Sequence, residues 1–168
     1  MKKLIFINGT MGVGKTTTSK ALLALLDGAV FLDGDWCWMM HPFTVTEETK
    51  AMVIHNIAFV LNNFLCCSAY EYVIFCWVMD SEKIIQDVRK QLSTNYDFFL
   101  FTLTCSDAAL KERLQEDIKA GSREKAIIES SLSRTSLYQA MPSQKIDVSH
   151  CTAIEAAQAI KEIVIASS

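Results

Sequence analysis

The chain has 168 residues, which fits one domain and is long enough for roughly two-thirds of its unfolded surface to be buried on folding. Sixteen Lys and Arg against nineteen Asp and Glu give a formal net charge of −3, so the overall field does not favour nucleic acids or anionic membranes as partners. With 51% hydrophobic and 21% charged residues, the composition excludes a disordered chain, and no apolar run approaches the roughly 18 residues of a membrane-spanning helix.

The first half of the chain alternates strand and helix patterns. A β-branched and aromatic run predicts a strand over Lys3–Asn8, and apolar residues at helical spacing predict a helix over Lys15–Leu26. Gly28 ends that helix, and the residues Ala29–Leu32 predict a second strand. A broad apolar stripe predicts a long helix over Glu47–Tyr70.

The same alternation continues in the second half. Continuous apolar runs predict buried central strands over Tyr72–Met79 and Asp97–Thr104. Between them, the amphipathic segment Glu82–Leu92 predicts a helix. Ser106 predicts the N-cap of a further helix that runs to about Lys119.

The segment from about 118 to 140 is different in character. It is rich in serine and has only a weak apolar stripe, so we interpret it as an exposed helical arm or lid. A short strand over Gln144–Val148 and a helix over Thr152–Ile165 complete the predicted elements. Together they predict an α/β fold whose five-stranded parallel sheet is covered by helices on both faces.

Six cysteines lie at positions 37, 66, 67, 76, 105 and 151, and none has the Cys-x-x-Cys spacing of a zinc or redox site. Free thiols at this density indicate a reducing compartment. The N-terminal segment reaches Asn8 after only four apolar residues, which is too short for the core of a signal peptide. We therefore expect a single cytoplasmic domain over residues 1–168.

The residues that follow the first strand match a phosphate-binding pattern. They fit G-x-x-x-x-G-K-[ST] between a strand and a helix, and they are Gly9, Thr10, Met11, Gly12, Val13, Gly14, Lys15, Thr16 and Thr17. The glycines let backbone N–H groups form a nest for phosphate oxygens, and we expect that a side chain at Gly12 or Gly14 would intrude on it. A chance match should arise on the order of once in a hundred chains of this size. The segment thus predicts a three-layer P-loop NTPase fold.

Two side chains of this loop have predicted chemical roles. Lys15 can reach the β and γ phosphates of ATP, and the Thr16 hydroxyl can ligate Mg²⁺.

Asp33 and Asp35 follow the second strand, where ligands of open α/β sheets bind. On an extended backbone these two carboxylates share a face, so one could hold Mg²⁺ while the other accepts a hydroxyl proton. The alternative is that this Asp-Gly-Asp turn supplies only Asx-type hydrogen bonds and helix capping.

The loop at 9–17, the run Phe31–Asp35 and the later His41-Pro42 resemble small P-loop kinases, especially gluconate kinase and more distantly shikimate and adenylylsulfate kinases. The resemblance implies ATP and Mg²⁺ as cofactors, Asp33 near the metal, and Asp35 as the residue that binds the acceptor hydroxyl. The chain departs from the gluconate kinase pattern at Trp36–Met40, which separates the Asp-Gly-Asp turn from His41-Pro42. These residues could line an aromatic acceptor site, although core packing is the commoner explanation for such a run.

The third strand pattern carries no carboxylate before Asp80, so a strong Walker B acid is missing. This favours a kinase over a hydrolysis-driven switch. For Asp80 itself, capping the helix that starts near Ser81 is the favoured role.

Three arginines follow in the region where the resembled kinases place cations against the nucleotide. We predict catalytic roles for Arg113 and Arg123, with Arg134 as a weaker candidate on the same arm. The alternative is that each of them is a solvated helix residue in a weak surface pair.

We predict an ATP-dependent phosphotransferase that acts on a small-molecule acceptor and is a monomer or homodimer. The acceptor could be a nucleoside or nucleotide, a sugar acid or an antibiotic-like aromatic compound. The alternative is an ATP- or GTP-binding regulatory protein with little or no catalysis. A polynucleotide end-kinase is disfavoured by the acidic balance and the lack of a basic cluster.

Overall fold

The computed structural model describes residues 1–122 and 124–167. Within them, five strands form one sheet: β1 (Lys2–Asn8), β2 (Ala29–Asp33), β3 (Tyr72–Cys76), β4 (Tyr96–Thr104) and β5 (Gln144–Asp147). Their order is β2-β3-β1-β4-β5, and every neighbouring pair is parallel. The predicted five-stranded parallel sheet is confirmed.

Seven α-helices connect and cover the strands in this part of the chain: α1 (Lys15–Leu25), α2 (Glu47–Cys66), α3 (Glu82–Arg89), α4 (Asp107–Lys119), α5 (Ile127–Leu132), α6 (Thr135–Ala140) and α7 (Ala153–Ala166). Ser106 caps α4 as predicted, because its side chain accepts a hydrogen bond from the Ala109 backbone at 3.3 Å. Among the described helices, none is both long enough and apolar enough to cross a bilayer.

The central strands of the sheet are buried on both faces, which gives the fold its three layers. Successive residues of β1 point to opposite sides: Ile5 packs with Leu22 of α1, whereas Phe6 packs with Ile57 of α2. Helices α1, α4 and α7 supply one core, and α2 and α3 supply the other. This double burial explains why the central strands are apolar throughout rather than alternating.

The third strand and the long second helix are shorter than predicted. The strand predicted over Tyr72–Met79 ends at Cys76, where β2 also ends with Asp33 as the paired residue. Met79 is nevertheless fully buried beyond the strand, so its apolar character reflects core packing and not strand pairing. The long helix α2 ends at Cys66 because Cys67 has an extended backbone.

The arm predicted over 118–140 is helical from Ile127 onward and largely exposed, but a few of its side chains are buried, which the sequence did not predict. Ser131 and Tyr138 are almost completely buried, and Ile127 and Leu132 pack against the core beside α1. The sequence obscured this because serines separate the few apolar residues that make these contacts. The predicted Arg123 falls outside the described residues, and movement of the segment as a lid stays a prediction.

Candidate functional site

The segment Gly9–Gly14 turns sharply between β1 and α1, at the carboxyl edge of the sheet. Its three glycines all have positive φ angles: Gly9 at 146°, Gly12 at 82° and Gly14 at 103°. Gly14 directly precedes α1 and contributes no side-chain cap to it. Because the first N–H groups of a helix lack partners within the helix, this terminus is built to accept an anion.

Gly12 and Gly14 of the loop are glycines for different reasons. A Cβ atom at Gly12 would lie 2.4 Å from Cδ2 of Leu114 in α4, so packing against α4 excludes a side chain there. The expected intrusion on the phosphate nest is therefore the wrong reason for Gly12. At Gly14 a Cβ would meet no described atom within 4 Å, and the φ angle of 103° is what favours glycine.

The loop brings together three of the side chains predicted for the site. The Thr16 hydroxyl donates a hydrogen bond to Oδ2 of Asp33 at 2.7 Å, and Asp33 is only 5% exposed. Lys15 Nζ donates to the Thr10 carbonyl within the loop at 3.0 Å. The Thr16 hydroxyl and the Asp33 carboxylate present neighbouring oxygen atoms, which are the ligands that Mg²⁺ prefers.

The donor set fits Mg²⁺ better than a structural metal. Among the residues that the structure describes, no group of three or more His, Cys, Asp or Glu could enclose an ion. Mg²⁺ is commonly held by only one or two protein oxygens together with phosphates and water, so the Thr16 and Asp33 pair suits it.

Asp35 reaches the site by a route that the extended-strand prediction did not anticipate. Strand β2 ends at Asp33, and a 3₁₀ helix over Gly34–Trp38 carries Asp35. Asp35 Oδ1 accepts a hydrogen bond from Trp77 Nε1 at 3.1 Å. The Asp35 backbone N–H also donates to Asp33 Oδ1 at 3.1 Å, so the Asx-type bond of the alternative interpretation is present as well.

A cavity of about 880 Å³ joins these residues along the carboxyl edge of the sheet. Its middle is formed by the loop residues from Met11 to Thr18. One end, which we call the β2–β3 end, is lined by Asp33, Asp35, Phe43, Trp77 and Val78. The remaining lining residues, which we call the β5 end, come from α4 and the turn after it and from the segment after β5: Arg113, Glu116, Asp117, Ser122, Val148, Cys151, Thr152 and Ala153.

Arg113 lies at the β5 end, where it joins two walls of the cavity. Its Nη1 donates to the Val13 carbonyl of the loop at 3.0 Å, and its Nη2 donates to the Val148 carbonyl just after β5. The guanidinium thus ties the phosphate-binding loop to the segment that precedes α7.

The third arginine of the sequence analysis lies elsewhere. Arg134 Nη1 lies 3.3 Å from Oδ2 of Asp80, and Arg134 is not among the described residues that line the cavity. The predicted capping of α3 by Asp80 is wrong, since its N-cap is Ser81 and the Asp80 carboxylate pairs with Arg134 instead.

Trp77 is a site residue that sequence reasoning missed. The strand pattern indicated only that no carboxylate precedes Asp80 there. A signal was present, because a polar-tipped aromatic residue directly after a buried parallel strand lies at the edge where ligands bind.

Cys76, one residue earlier, carries no such role. Burial, reinforced by the nearby Asp33 carboxylate, raises the pKa of the Cys76 thiol to about 12, so it stays protonated and is no nucleophile at neutral pH.

Comparison with known proteins identifies the family. A family model described as an AAA domain matches residues 5–133, which is more than half of the chain. The chain belongs to this AAA domain family. No curated protein sequence matches it significantly.

Solved structures of similar fold include proteins named as kinases and a protein named for antibiotic resistance. The tunicamycin resistance protein of Deinococcus radiodurans is 17% identical over 98% of this chain and 96% of its own, with a TM-score of 0.71. A gluconokinase from Sinorhizobium meliloti is 14% identical over 99% and 95%, with a TM-score of 0.69. The shikimate kinase of Acinetobacter baumannii, solved with shikimate, is 20% identical over 100% and 96%, with a TM-score of 0.68. The family member described here therefore has the three-layer fold of small P-loop kinases, as its sequence predicted.

Proposed function

We propose that this protein is an ATP-dependent kinase that moves the γ-phosphoryl group of ATP to a hydroxyl group of a small molecule. One observation carries the proposal: the phosphate-binding loop, the Thr16–Asp33 pair and the Asp35 carboxylate line one continuous cavity. The gluconokinase and shikimate kinase named above support it, because both share the fold and are kinases by name.

Each of these residues has a defined task in such a transfer. The N–H groups at the start of α1 and the Lys15 ammonium would bind the β and γ phosphates. Thr16 and Asp33 would hold Mg²⁺, which neutralises phosphate charge when it is bound. Asp35 would orient the acceptor hydroxyl and accept its proton, since Trp77 fixes the position of its carboxylate.

Two arginines would contribute at other points. Arg113 would keep the loop and the β5 end at a fixed separation through its two backbone hydrogen bonds. Arg123 stays a predicted cation for the transferring phosphoryl group.

The end of β3 favours transfer over nucleotide hydrolysis. Trp77 and Val78 line the cavity there, in the region where switch-type NTPases place a carboxylate. A kinase can use the β2 carboxylate instead, and Asp33 provides one.

The test separates nucleotide binding from transfer. Lys15→Ala should abolish productive ATP binding, whereas Asp35→Asn should leave ATP affinity within about twofold and lower transfer at least about a hundredfold, in the range of general-base catalysis. ATP affinity is measured by calorimetry, and transfer by ADP release across a panel of hydroxyl acceptors. Asp27→Asn is the matched control, because this exposed carboxylate lies beyond the opposite end of α1.

Two results would contradict the proposal. Equal transfer by Asp35→Asn would remove the role assigned to that carboxylate. Tight ATP binding without turnover on any acceptor would instead favour the nucleotide-binding regulatory protein.

A further inference from the structure

The phosphate-binding loop is bound to helix α5 by a hydroxyl group of its own. The Thr10 side chain, which is only 4% exposed, donates a hydrogen bond to the Ser131 carbonyl at 2.8 Å. Ser131 is fully buried and lies 121 positions later in the chain. A buried hydrogen bond of this length holds two segments together, because breaking it leaves a polar group without a partner and without water. The start of the loop is thus fixed on α5.

The backbone of the same threonine is bonded to the rest of the loop. The Thr10 carbonyl accepts hydrogen bonds from Lys15 Nζ at 3.0 Å and from the Val13 N–H at 3.4 Å. Thr10 therefore connects α5, through its hydroxyl, to Lys15 and Val13, through its carbonyl. The position of this residue helps to set where the Lys15 ammonium lies before it contacts a phosphate.

Helices α5 and α6 are themselves held in place, so they are suited to act as a support. The Arg134 guanidinium, between the two helices, lies 3.3 Å from the Asp80 carboxylate. The Arg134 N–H donates to the same Ser131 carbonyl that Thr10 binds, at 3.3 Å. Because that carbonyl has two lone pairs, it can serve both donors.

The residue just before the loop is bonded to the same region. Nδ2 of the fully buried Asn8 donates to Sδ of Met141, which directly follows α6, at 2.8 Å. The Oδ1 atom of Asn8 accepts a hydrogen bond from the Thr102 hydroxyl at 2.5 Å. Asn8 and Thr10 flank Gly9, so the loop's first glycine has a bond to this region on each side of it.

The Ser131 hydroxyl takes no part in the contact with the loop. Its Oγ is buried and has no hydrogen-bond partner in the part of the chain that the structure describes, and Thr10 binds the backbone carbonyl instead. The bond therefore depends on the side chain at position 10 and on the path of α5, and not on the side chain at position 131.

We infer that Thr10 is a positioning residue whose hydroxyl, bonded to α5, holds the phosphate-binding loop in the shape that presents Lys15 to the β and γ phosphates of ATP. The inference rests on the proposed kinase function and adds a residue to it, since the loop pattern accepts any residue type at position 10. A loop that is ordered beforehand binds its ligand more tightly, because less freedom is lost on binding. Without the hydroxyl, the nucleotide itself would have to order the loop.

Two substitutions at position 10 separate the hydroxyl from the rest of the side chain. Thr10→Val removes the hydroxyl and keeps a branched side chain, so we expect the Kd for a non-hydrolysable MgATP analogue and the KM for MgATP to rise about tenfold. Thr10→Ser keeps the hydroxyl, so both values should stay within about threefold of the parent protein. Calorimetry measures the Kd, and ADP release with the preferred acceptor measures the KM.

Two control variants remove a hydroxyl from the neighbouring helices and leave the loop contact in place. Thr135→Val is the matched control, because the Thr135 hydroxyl donates to the Leu132 carbonyl at the same distance of 2.8 Å. Ser131→Ala removes the serine hydroxyl and keeps the carbonyl that Thr10 binds. Both should keep the Kd within about twofold of the parent. Urea denaturation of all four variants shows whether a change in affinity merely follows a loss of stability.

A measurement on the parent protein tests the inference even if Thr10→Val does not fold. No described residue of α5 lines the cavity, so a bound nucleotide can affect this helix only indirectly. If the loop and α5 are joined, the MgATP analogue should slow backbone hydrogen exchange in α5 at least about threefold, together with exchange in the loop. Slowed exchange in the loop with unchanged exchange in α5 would overturn the inference.

The remaining outcomes separate this inference from the proposed function. Parent-like ATP affinity in Thr10→Val would overturn the inference and leave the kinase proposal standing, as would an equal loss of affinity in Thr10→Ser or in Thr135→Val. Binding of MgATP without transfer to any acceptor would contradict the kinase proposal, and the calorimetric comparison would still decide the role of Thr10. No binding of MgATP by the parent protein would overturn both.

Discussion

Replacing Gly12 with alanine tests whether the phosphate-binding loop packs directly against Leu114 of α4. The new methyl group would need a left-handed backbone at φ 82° and would lie 2.4 Å from the fully buried Leu114 side chain. The backbone term costs roughly 1–2 kcal/mol, and overpacking in a buried site costs roughly 1–3 kcal/mol. We therefore expect Gly12→Ala to lower the free energy of unfolding by about 2–5 kcal/mol.

Gly14→Ala is the matched comparison in the same loop. Its backbone is also left-handed, at φ 103°, but the added Cβ meets no described atom within 4 Å. We expect it to cost only the backbone term of about 1–2 kcal/mol. Urea denaturation of the two variants and the parent protein measures the difference.

Leu114→Ala provides the decisive cross-check. It removes the side chain that the Gly12 methyl would strike, so the double variant should be more stable than the sum of the two single losses predicts, by about 1–3 kcal/mol. Strict additivity, or equal losses for Gly12→Ala and Gly14→Ala, would refute the assigned contact.

Arg113→Ala should destabilise the protein by about 1–3 kcal/mol and weaken ATP binding, because two backbone carbonyls lose a charged donor. Stability is measured by urea denaturation and ATP affinity by calorimetry. Unchanged stability together with unchanged ATP affinity would contradict this prediction. Trp77→Phe keeps a ring but removes the N–H donor to Asp35, so kcat should fall about tenfold with the KM for ATP unchanged, and an unaltered kcat in steady-state assays would count against it. For Cys76, the thiol ionises near 9.0 when exposed and at about 12 when folded, so between these values the unfolded state binds fewer protons and stability falls as pH rises. Urea denaturation at about pH 8 and about pH 10.5 should show a smaller loss in Cys76→Ala than in the parent, and equal losses would exclude this cause.

The parts of the structure that the sequence predicted depend on neighbouring residues. The strand Lys2–Asn8, the loop after it and the helix from Lys15 are adjacent in the chain, so their order and composition identify them together. The same holds for the capped start of α4 at Ser106. Continuous apolar runs then placed β3 and β4, since strands covered on both faces of a sheet are apolar throughout.

The missed features depend on residues that are far apart in sequence. Trp77 and Asp35 are separated by 42 positions, and only the pairing of β2 with β3 brings them together. The contact between Gly12 and Leu114 likewise requires α4 to pack against the loop. Neither contact leaves a local periodic pattern, so spacing alone could not predict it.

The chain has three tryptophans, and all of them closely follow β2 or β3, the strands that lead to the β2–β3 end of the cavity. The Trp36 ring lies 5.4 Å from the Phe31 ring of β2, and the Trp38 ring lies 6.0 Å from the ring of Trp77, which donates a hydrogen bond to Asp35. Tryptophan emission from the unlabelled protein consequently originates near one end of the cavity. Titrations can therefore follow occupancy of that end optically, without attaching a dye and without a tryptophan signal from the opposite end.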